Sequence, residues 1–297
     1  MGFLSKSSKT GPLKRKYRSS DELRSEYNEL VSAGKRFILC VTVGRSGTRW
    51  LSDIFDAHDN AVGSTERNVL AESFYRYVVC NDLPVDVQGI MDMTKADIID
   101  DWKKSDISML VSPYFSHDIM KLSDELKIDR IIWGVNDAKF TVTSFYNKGW
   151  YKDSIIRKDD ELVYGFQPVH DDMWSHFYGR LIPKGDLFRE WKGLTRIGKI
   201  SWFYNKVNME IYEQVKDLPE EKLLIFKLKD ADQNYEYYLN IARQFSLDPV
   251  LSKSAFLSIK KKTFRKSHNI QKQWSGKETQ EFQKYTSEFT SIYKNLA

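Results

Sequence analysis

Cysteine is scarce in this 297-residue chain. Its two residues, Cys40 and Cys80, build no disulfide framework and fit a reducing compartment, so the cytoplasm is the expected location. Long apolar runs are missing too. No stretch approaches the roughly 20 residues that a membrane-spanning helix needs, and the N-terminus lacks the apolar core of a signal peptide; a soluble chain is expected. No cluster of His, Cys and Asp has metal-ligand spacing, so no metal is expected. Internal repeats are absent, and one large α/β domain over residues 19–297 is the simplest organisation.

Acidic residues are missing from two stretches. Residues 1–18 carry six cations and no acid, which accounts for the whole net charge of +5 and leaves the rest of the chain near neutrality. This segment is expected to be a flexible basic tail, with an anionic membrane surface as one candidate contact. Lys6 stands where a myristoylation signal wants Ser or Thr. The second acid-free stretch lies between Asp248 and Glu278 and holds eight cations, among them Lys260, Lys261, Lys262, Arg265 and Lys266. Phe256, Phe264 and Trp274 interrupt it, but no nucleic-acid module accompanies it, so no nucleic-acid partner is expected.

What is present centres on Arg36–Phe55. Phe37–Val43 is apolar and β-branched, as in a buried strand. From Thr48 onward, Trp50, Leu51, Ile54 and Phe55 have helical spacing. Only Gly44-Arg45-Ser46-Gly47 separates the two. A tight turn from strand to helix leaves backbone N–H groups unpaired at the helix start, and with the helix dipole and the Arg45 guanidinium they form an anion site. The nucleotide P-loop places four residues between its glycines and then Gly-Lys. This loop has two and no such lysine, which suits a smaller anionic group than a triphosphate.

Further elements alternate. A capping box at Ser19–Glu22 opens a helix running to Gly34. Helices are expected at Val69–Val79, around Ala96–Trp102, and at His117–Leu126, Lys139–Asn147, Ile197–Val215, Tyr235–Phe245 and Glu278–Tyr293. Strands are expected from Ala61, at Ile107–Val111, Ile131–Val135 and Leu223–Leu228. The alternation predicts an α/β three-layer sandwich, a central parallel sheet flanked by helices and P-loop-like, with ligands at the carboxyl ends of the strands.

Arg45-Ser46-Gly47-Thr48-Arg49-Trp50 resembles the first signature of the sulfotransferases that use 3′-phosphoadenosine 5′-phosphosulfate (PAPS) as donor. Ile131–Tyr146 resembles their second signature, a strand running into Arg-Asp-Pro-Arg and a helix bearing a serine. Asp137 and Ser144 are in register, while Asn136 replaces the usual arginine, Ala138 the proline and Lys139 the second arginine. Phe264-Arg265-Lys266-Ser267, with Trp274 beyond, loosely matches the third. The resemblance implies that Arg45 and the amides of Ser46, Gly47 and Thr48 hold the 5′-phosphate, with Arg49 beside them. Ser144, Arg265 and Lys266 would take the 3′-phosphate, with Asn136 at the same site, and Lys139 would help with either phosphate. Trp50 would stack on adenine, or else face the core. Adenosine 3′,5′-bisphosphate would be the product.

A hydroxyl acceptor needs a general base. The resemblance points to Glu66 at the end of the second strand, with His58 as the alternative; Glu66 could equally be paired with Arg67. The Glu66 assignment favours a saccharide or glycolipid acceptor. The aromatic stretch Tyr146–Trp191 is either a wall for a sugar or a satellite core. Two other readings remain open, a P-loop-type kinase and a non-catalytic nucleotide-binding protein of the same fold.

Overall fold

The computed structural model describes residues 19–152, 178–231, 234–263 and 273–296. The chain runs α1 (Ser20–Ser32), β1 (Arg36–Thr42), α2 (Thr48–Phe55), β2 (Ala61–Thr65), α3 (Val69–Asn81), α4 (Gln88–Trp102) and β3 (Ile107–Val111). A 3-10 turn (Tyr114–His117) leads to α5 (Ile119–Glu125), β4 (Ile128–Val135) and α6 (Ala138–Asn147). Then follow α7 (Asp186–Lys192), α8 (Arg196–Val215), β5 (Leu223–Lys227) and the short helical turn Leu228–Ala231. The described chain ends with α9 (Tyr235–Phe245), α10 (Lys253–Thr263) and α11 (Gly276–Asn295).

Local chemistry explains the boundaries. At Ser19 the capping box is complete: Glu22 N–H donates to Ser19 Oγ (3.2 Å) and Ser19 N–H to Glu22 Oε2 (2.9 Å). Asp137 caps α6 by accepting from Phe140 N–H at 2.9 Å. In β1, alternate residues go to opposite layers. Phe37, Leu39 and Val41 join one core cluster, as does Val43 just beyond the strand, and Ile38 and Cys40 the other. The first cluster is covered by α1, α3, α4, α5, α6, α7, α8 and α11, the second by α2, α9 and α10.

The five strands are all parallel, in the order β2-β3-β1-β4-β5. The expected α/β sandwich is therefore what the chain forms. After β1 the chain leaves for one edge of the sheet, and after β4 for the other. This opens a crevice at the carboxyl ends of β1 and β4.

Several details differ from the sequence expectations. β4 begins at Ile128, three residues early, because Phe37 of β1 pairs with it there. His117 belongs to the 3-10 turn, and α5 starts only at Ile119. α4 extends back to Gln88. Helix α10 forms inside the basic island, anchored by fully buried Phe256. Helix α7 forms inside the aromatic stretch, with Phe188 and Trp191 turned inward.

Candidate active site at the carboxyl edge of the sheet

The loop between β1 and α2 is held in a shape its sequence encodes. Gly44, Arg45 and Gly47 all have positive φ (101°, 62° and 77°). An arginine in the left-handed region is strained and persists only where neighbours fix it. Those neighbours are present. Thr42 Oγ1 accepts from Gly44 N–H (3.0 Å) and lies 2.7 Å from Ser46 Oγ, and Ser46 is fully buried. Asn136 Nδ2 donates to the Arg45 carbonyl at 3.3 Å. On β4, Gly134 makes room for the loop, since a Cβ there would lie 2.6 Å from Thr48 Cγ2 and 3.0 Å from Ser46 Oγ. The Ser46 hydroxyl is thus an internal staple of the loop. Among the described residues, the amides of Arg45, Ser46, Gly47 and Thr48 meet no acceptor. They open α2, and so form a receptive site for an anion.

Arg45 reaches across the β1/β4 crevice, its Nε donating to Ser144 Oγ at 2.8 Å. Two residues 99 positions apart are thereby joined, as one shared ligand requires. Asn136 is committed elsewhere. Its Oδ1 accepts from Asp137 N–H (2.8 Å), and its carbonyl accepts the Tyr204 hydroxyl (2.9 Å). It positions the loop and carries no charge. Arg49 is exposed beside the loop, and so is Lys139 on α6, 5.8 Å from the Trp274 ring.

Glu66 follows β2 with φ 47°, its N–H bonded to the Val111 carbonyl at 2.9 Å. Arg67 does not pair with it. That guanidinium donates to Asp101 Oδ2 (2.6 Å) and Ser64 Oγ (2.8 Å). Burial pushes the Glu66 carboxyl above its usual range, while the charges of Arg76, Arg45 and Arg49 act against the rise. Arg45, conversely, is pulled down by burial and sustained by Glu66. A half-buried carboxylate raised in this way is a stronger base than an exposed one.

Around Glu66 the structure assembles groups that the sequence pattern concealed. Arg76 on α3 is 1% exposed and donates to the carbonyls of Gly179 (2.9 Å) and Pro113, its guanidinium 4.9 Å from the Tyr114 ring. Burial, with Glu66 next, pushes the Tyr114 phenol up to about 12. Buried Glu72 accepts from Ser112 Oγ (2.5 Å) and Asn68 N–H (2.9 Å). In sequence Arg76 sits mid-helix among apolar residues, and only its oddity on a buried face would have marked it.

Two candidates have other roles. His58 is 3% exposed, between Ile54 O (2.7 Å from Nδ1) and the Tyr238 hydroxyl (3.0 Å from Nε2). Leu251 N–H donates to that hydroxyl at 2.6 Å, so Tyr238 O–H donates to Nε2 and Nδ1–H to the carbonyl. This closed chain of bonds sits beyond the far end of α2 and is structural. Trp50 is 2% exposed, with Phe226 stacked at 6.0 Å and Phe256 edge-on at 5.8 Å. It is core here, and a base could reach it only if those rings parted. Arg265, Lys266 and the basic tail lie outside the described residues, as do Tyr164, Phe166, Trp174 and Phe177 of the aromatic stretch. In the described part of the aromatic stretch, Tyr151, Phe188 and Trp191 are core, and Tyr146 and Trp150 pack against it. Trp150 packs on Phe145 (4.3 Å) and Phe203 (4.9 Å), and buried Tyr151 donates to the Leu181 carbonyl (2.6 Å).

Among the described residues no group of three or more His, Cys, Asp or Glu could hold a metal, and no helix is long and apolar enough to cross a membrane. A doubly wound parallel sheet with an anion-receptive loop at its crevice defines the class of protein. No family model matches the chain, and no curated relative does. Among solved structures it is similar to the sulfotransferase domain from the curacin biosynthetic pathway, at 11% identity and TM-score 0.47, over 86% of this chain and 98% of that one. It is also similar to the sulfotransferase domain from the Synechococcus PCC 7002 olefin synthase, at 12% identity and TM-score 0.47, over 86% and 95%.

Proposed function

We propose that this protein is a sulfotransferase that moves a sulfuryl group from PAPS to an acceptor hydroxyl. The observation that carries this reading is the meeting of Arg45, Ser144 and the loop amides over the β1/β4 crevice, with the Glu66 carboxylate in the field of Arg45. The loop signature and the serine of α6 support PAPS as the donor. These residues fit the phosphate portion of such a nucleotide; the Trp50 environment offers no place for its base.

Arg45 and the amides of Ser46, Gly47 and Thr48 hold the 5′-phosphate. As the bridging S–O bond breaks, its electron pair goes to the phosphate oxygen, and these donors take up the developing charge. Glu66 accepts the proton of the acceptor hydroxyl while that oxygen bonds sulfur. Sulfur exchanges one oxygen for another with no change in oxidation state, so catalysis is positioning plus charge stabilisation. Ser144, with Arg265 and Lys266, attends the 3′-phosphate. A carboxylate base favours a saccharide or glycolipid acceptor, and the scarcity of cysteine favours the cytoplasm.

The test is transfer of labelled sulfate from PAPS to a panel of saccharides and glycolipids, with calorimetric titration of adenosine 3′,5′-bisphosphate beside it. Selective bisphosphate binding and transfer that Arg45→Ala abolishes is the expected result. Preference for magnesium-ATP would return the loop to a kinase reading. Bisphosphate binding without transfer to any acceptor would leave a nucleotide-binding protein.

A further inference from the structure

A further cation stands where the chain leaves β5 beside the phosphate loop. β5 pairs with β4 so that Lys227 lies across from Val135, the residue before Asn136. The chain then crosses the loop. Leu228 lies so close to Gly47 that a Cβ on that glycine would be 2.6 Å from a Leu228 methyl. The next residue, Lys229, is exposed, with its Nζ 5.7 Å from the Tyr293 ring centroid. Tyr293 also feels Asp137, the cap of α6. Burial first, then the charges of Asp137 and Asp230, push its phenol up. The register of β5 on β4, with Lys227 opposite Val135, thus sets Lys229 beside the β4–α6 junction where Asn136 stands.

The two lysines of this edge differ. Lys227 is 9% exposed and donates to the Leu296 carbonyl, so it is spent inside the fold. Lys229 forms no ion pair among the described residues. At the junction itself, Asn136 is neutral and turned toward the Arg45 carbonyl. Charge for a second anionic group is therefore absent at 136 and present, unneutralised, one strand away.

We propose that Lys229 receives the second phosphate of the nucleotide, supplying the charge that Asn136 lacks. This rests on the nucleotide reading given above and adds one residue of this chain to the 3′-phosphate subsite, beside Ser144, Arg265 and Lys266. A lysine suits the task because its four-carbon stem lets the ammonium swing from the Tyr293 ring to a ligand.

The experiment compares adenosine 3′,5′-bisphosphate with adenosine 5′-phosphate by calorimetric titration of the full chain. The wild-type protein should prefer the bisphosphate. Lys229→Ala should lose about tenfold in bisphosphate affinity, the worth of one charge-assisted contact, and leave 5′-phosphate binding within about twofold. Lys229→Arg should retain the preference, and Asn136→Arg placed in the Lys229→Ala background should restore it. An unchanged preference in Lys229→Ala overturns the inference, and so does an equal loss for both nucleotides. Wild-type protein that binds neither nucleotide would instead sink the nucleotide reading itself, a result that does not depend on Lys229. Unaltered thermal melting of the exposed Lys229 variants confirms folding.

Discussion

The two edges of the sheet are both rich in cations, yet they are opposites chemically. At the amino edge a cavity of about 640 Å³ is lined by Lys35, Arg36, Lys127, Arg130 and Lys222, with Asp124 and Asp129 among them. By the number of cations lining it, it is a conspicuous site. Its cations, though, are consumed by backbone carbonyls and by the carboxylates of Asp106 and Asp129. Arg36 donates to Phe245 O (2.6 Å), Lys35 to Ser105 O (2.8 Å), Lys222 to Asp129 O (2.8 Å) and Arg130 to Glu220 O (3.2 Å). Helix C-termini converge on this edge of a parallel sheet, and the carbonyls they present bind cations themselves. At the carboxyl edge helix α2 presents unpaired N–H groups, which leave Arg45, Arg49 and Lys229 with charge to offer an anion. Backbone dipole direction, more than the count of cations, separates a site from a neutralised edge.

The sharpest way to break this comparison is at Glu66. Glu66→Gln should lower sulfuryl transfer by about 10²–10⁴-fold and leave bisphosphate affinity within a few fold. In the wild-type protein activity should rise with pH through the Glu66 pKa, with a midpoint above the ordinary carboxyl value because burial dominates. A flat acid limb down to pH 4 would remove Glu66 as the base. Next in size, Arg45→Ala should weaken bisphosphate binding by about 10–100-fold, as expected for a charge-assisted contact. Arg130→Ala, at the other edge, should leave that affinity unchanged and cost only about 1 kcal/mol of stability, read by urea denaturation. If the two variants bind equally, the distinction between the edges fails.

Smaller effects test the frame around the loop. Gly134→Ala forces a methyl against Thr48 and Ser46 and should destabilise the fold by about 1–3 kcal/mol, seen as a lower denaturant midpoint with an unchanged slope. The buried histidines set a milder dependence on pH. Burial depresses the pKa of both His58 and His117, so the unfolded chain takes up protons that the native state refuses. Stability should be full above about pH 6.5 and fall as pH drops from there through the depressed values, by at most about 1.4 kcal/mol per pH unit for each histidine. Replacing His58 by Gln should make melting temperature less steep between pH 7 and 5. An equal slope would show that His58 titrates normally in the fold.

Legibility followed the range of the interactions. The strand Phe37–Val43, the loop glycines and the cap at Ser19 were readable because each is fixed by neighbours a few residues away. His58 and Trp50 were ambiguous for the opposite reason. His58 is settled by Tyr238, 180 positions on, and Trp50 by Phe226 and Phe256. Arg67 looked like a partner for Glu66 until helix α4 supplied Asp101. The helix over Lys253–Thr263 was hidden by a charge run, and only its docking through Phe256 onto Trp50 explains it.

By itself, then, the sequence determined the alternation of strands and helices and the anion-receptive turn at Gly44–Thr48. Periodicity, positive-φ glycines and cap residues act through local sterics and short hydrogen bonds, which any reader of the chain can apply. Tertiary structure alone decided which charges remain available. Arg45 meets Ser144, Arg67 is taken by Asp101, Asn136 by the loop carbonyl and Lys227 by Leu296, while Lys229 keeps its charge. Such outcomes depend on which groups compete for one donor in three dimensions, and sequence distance carries no information about that competition.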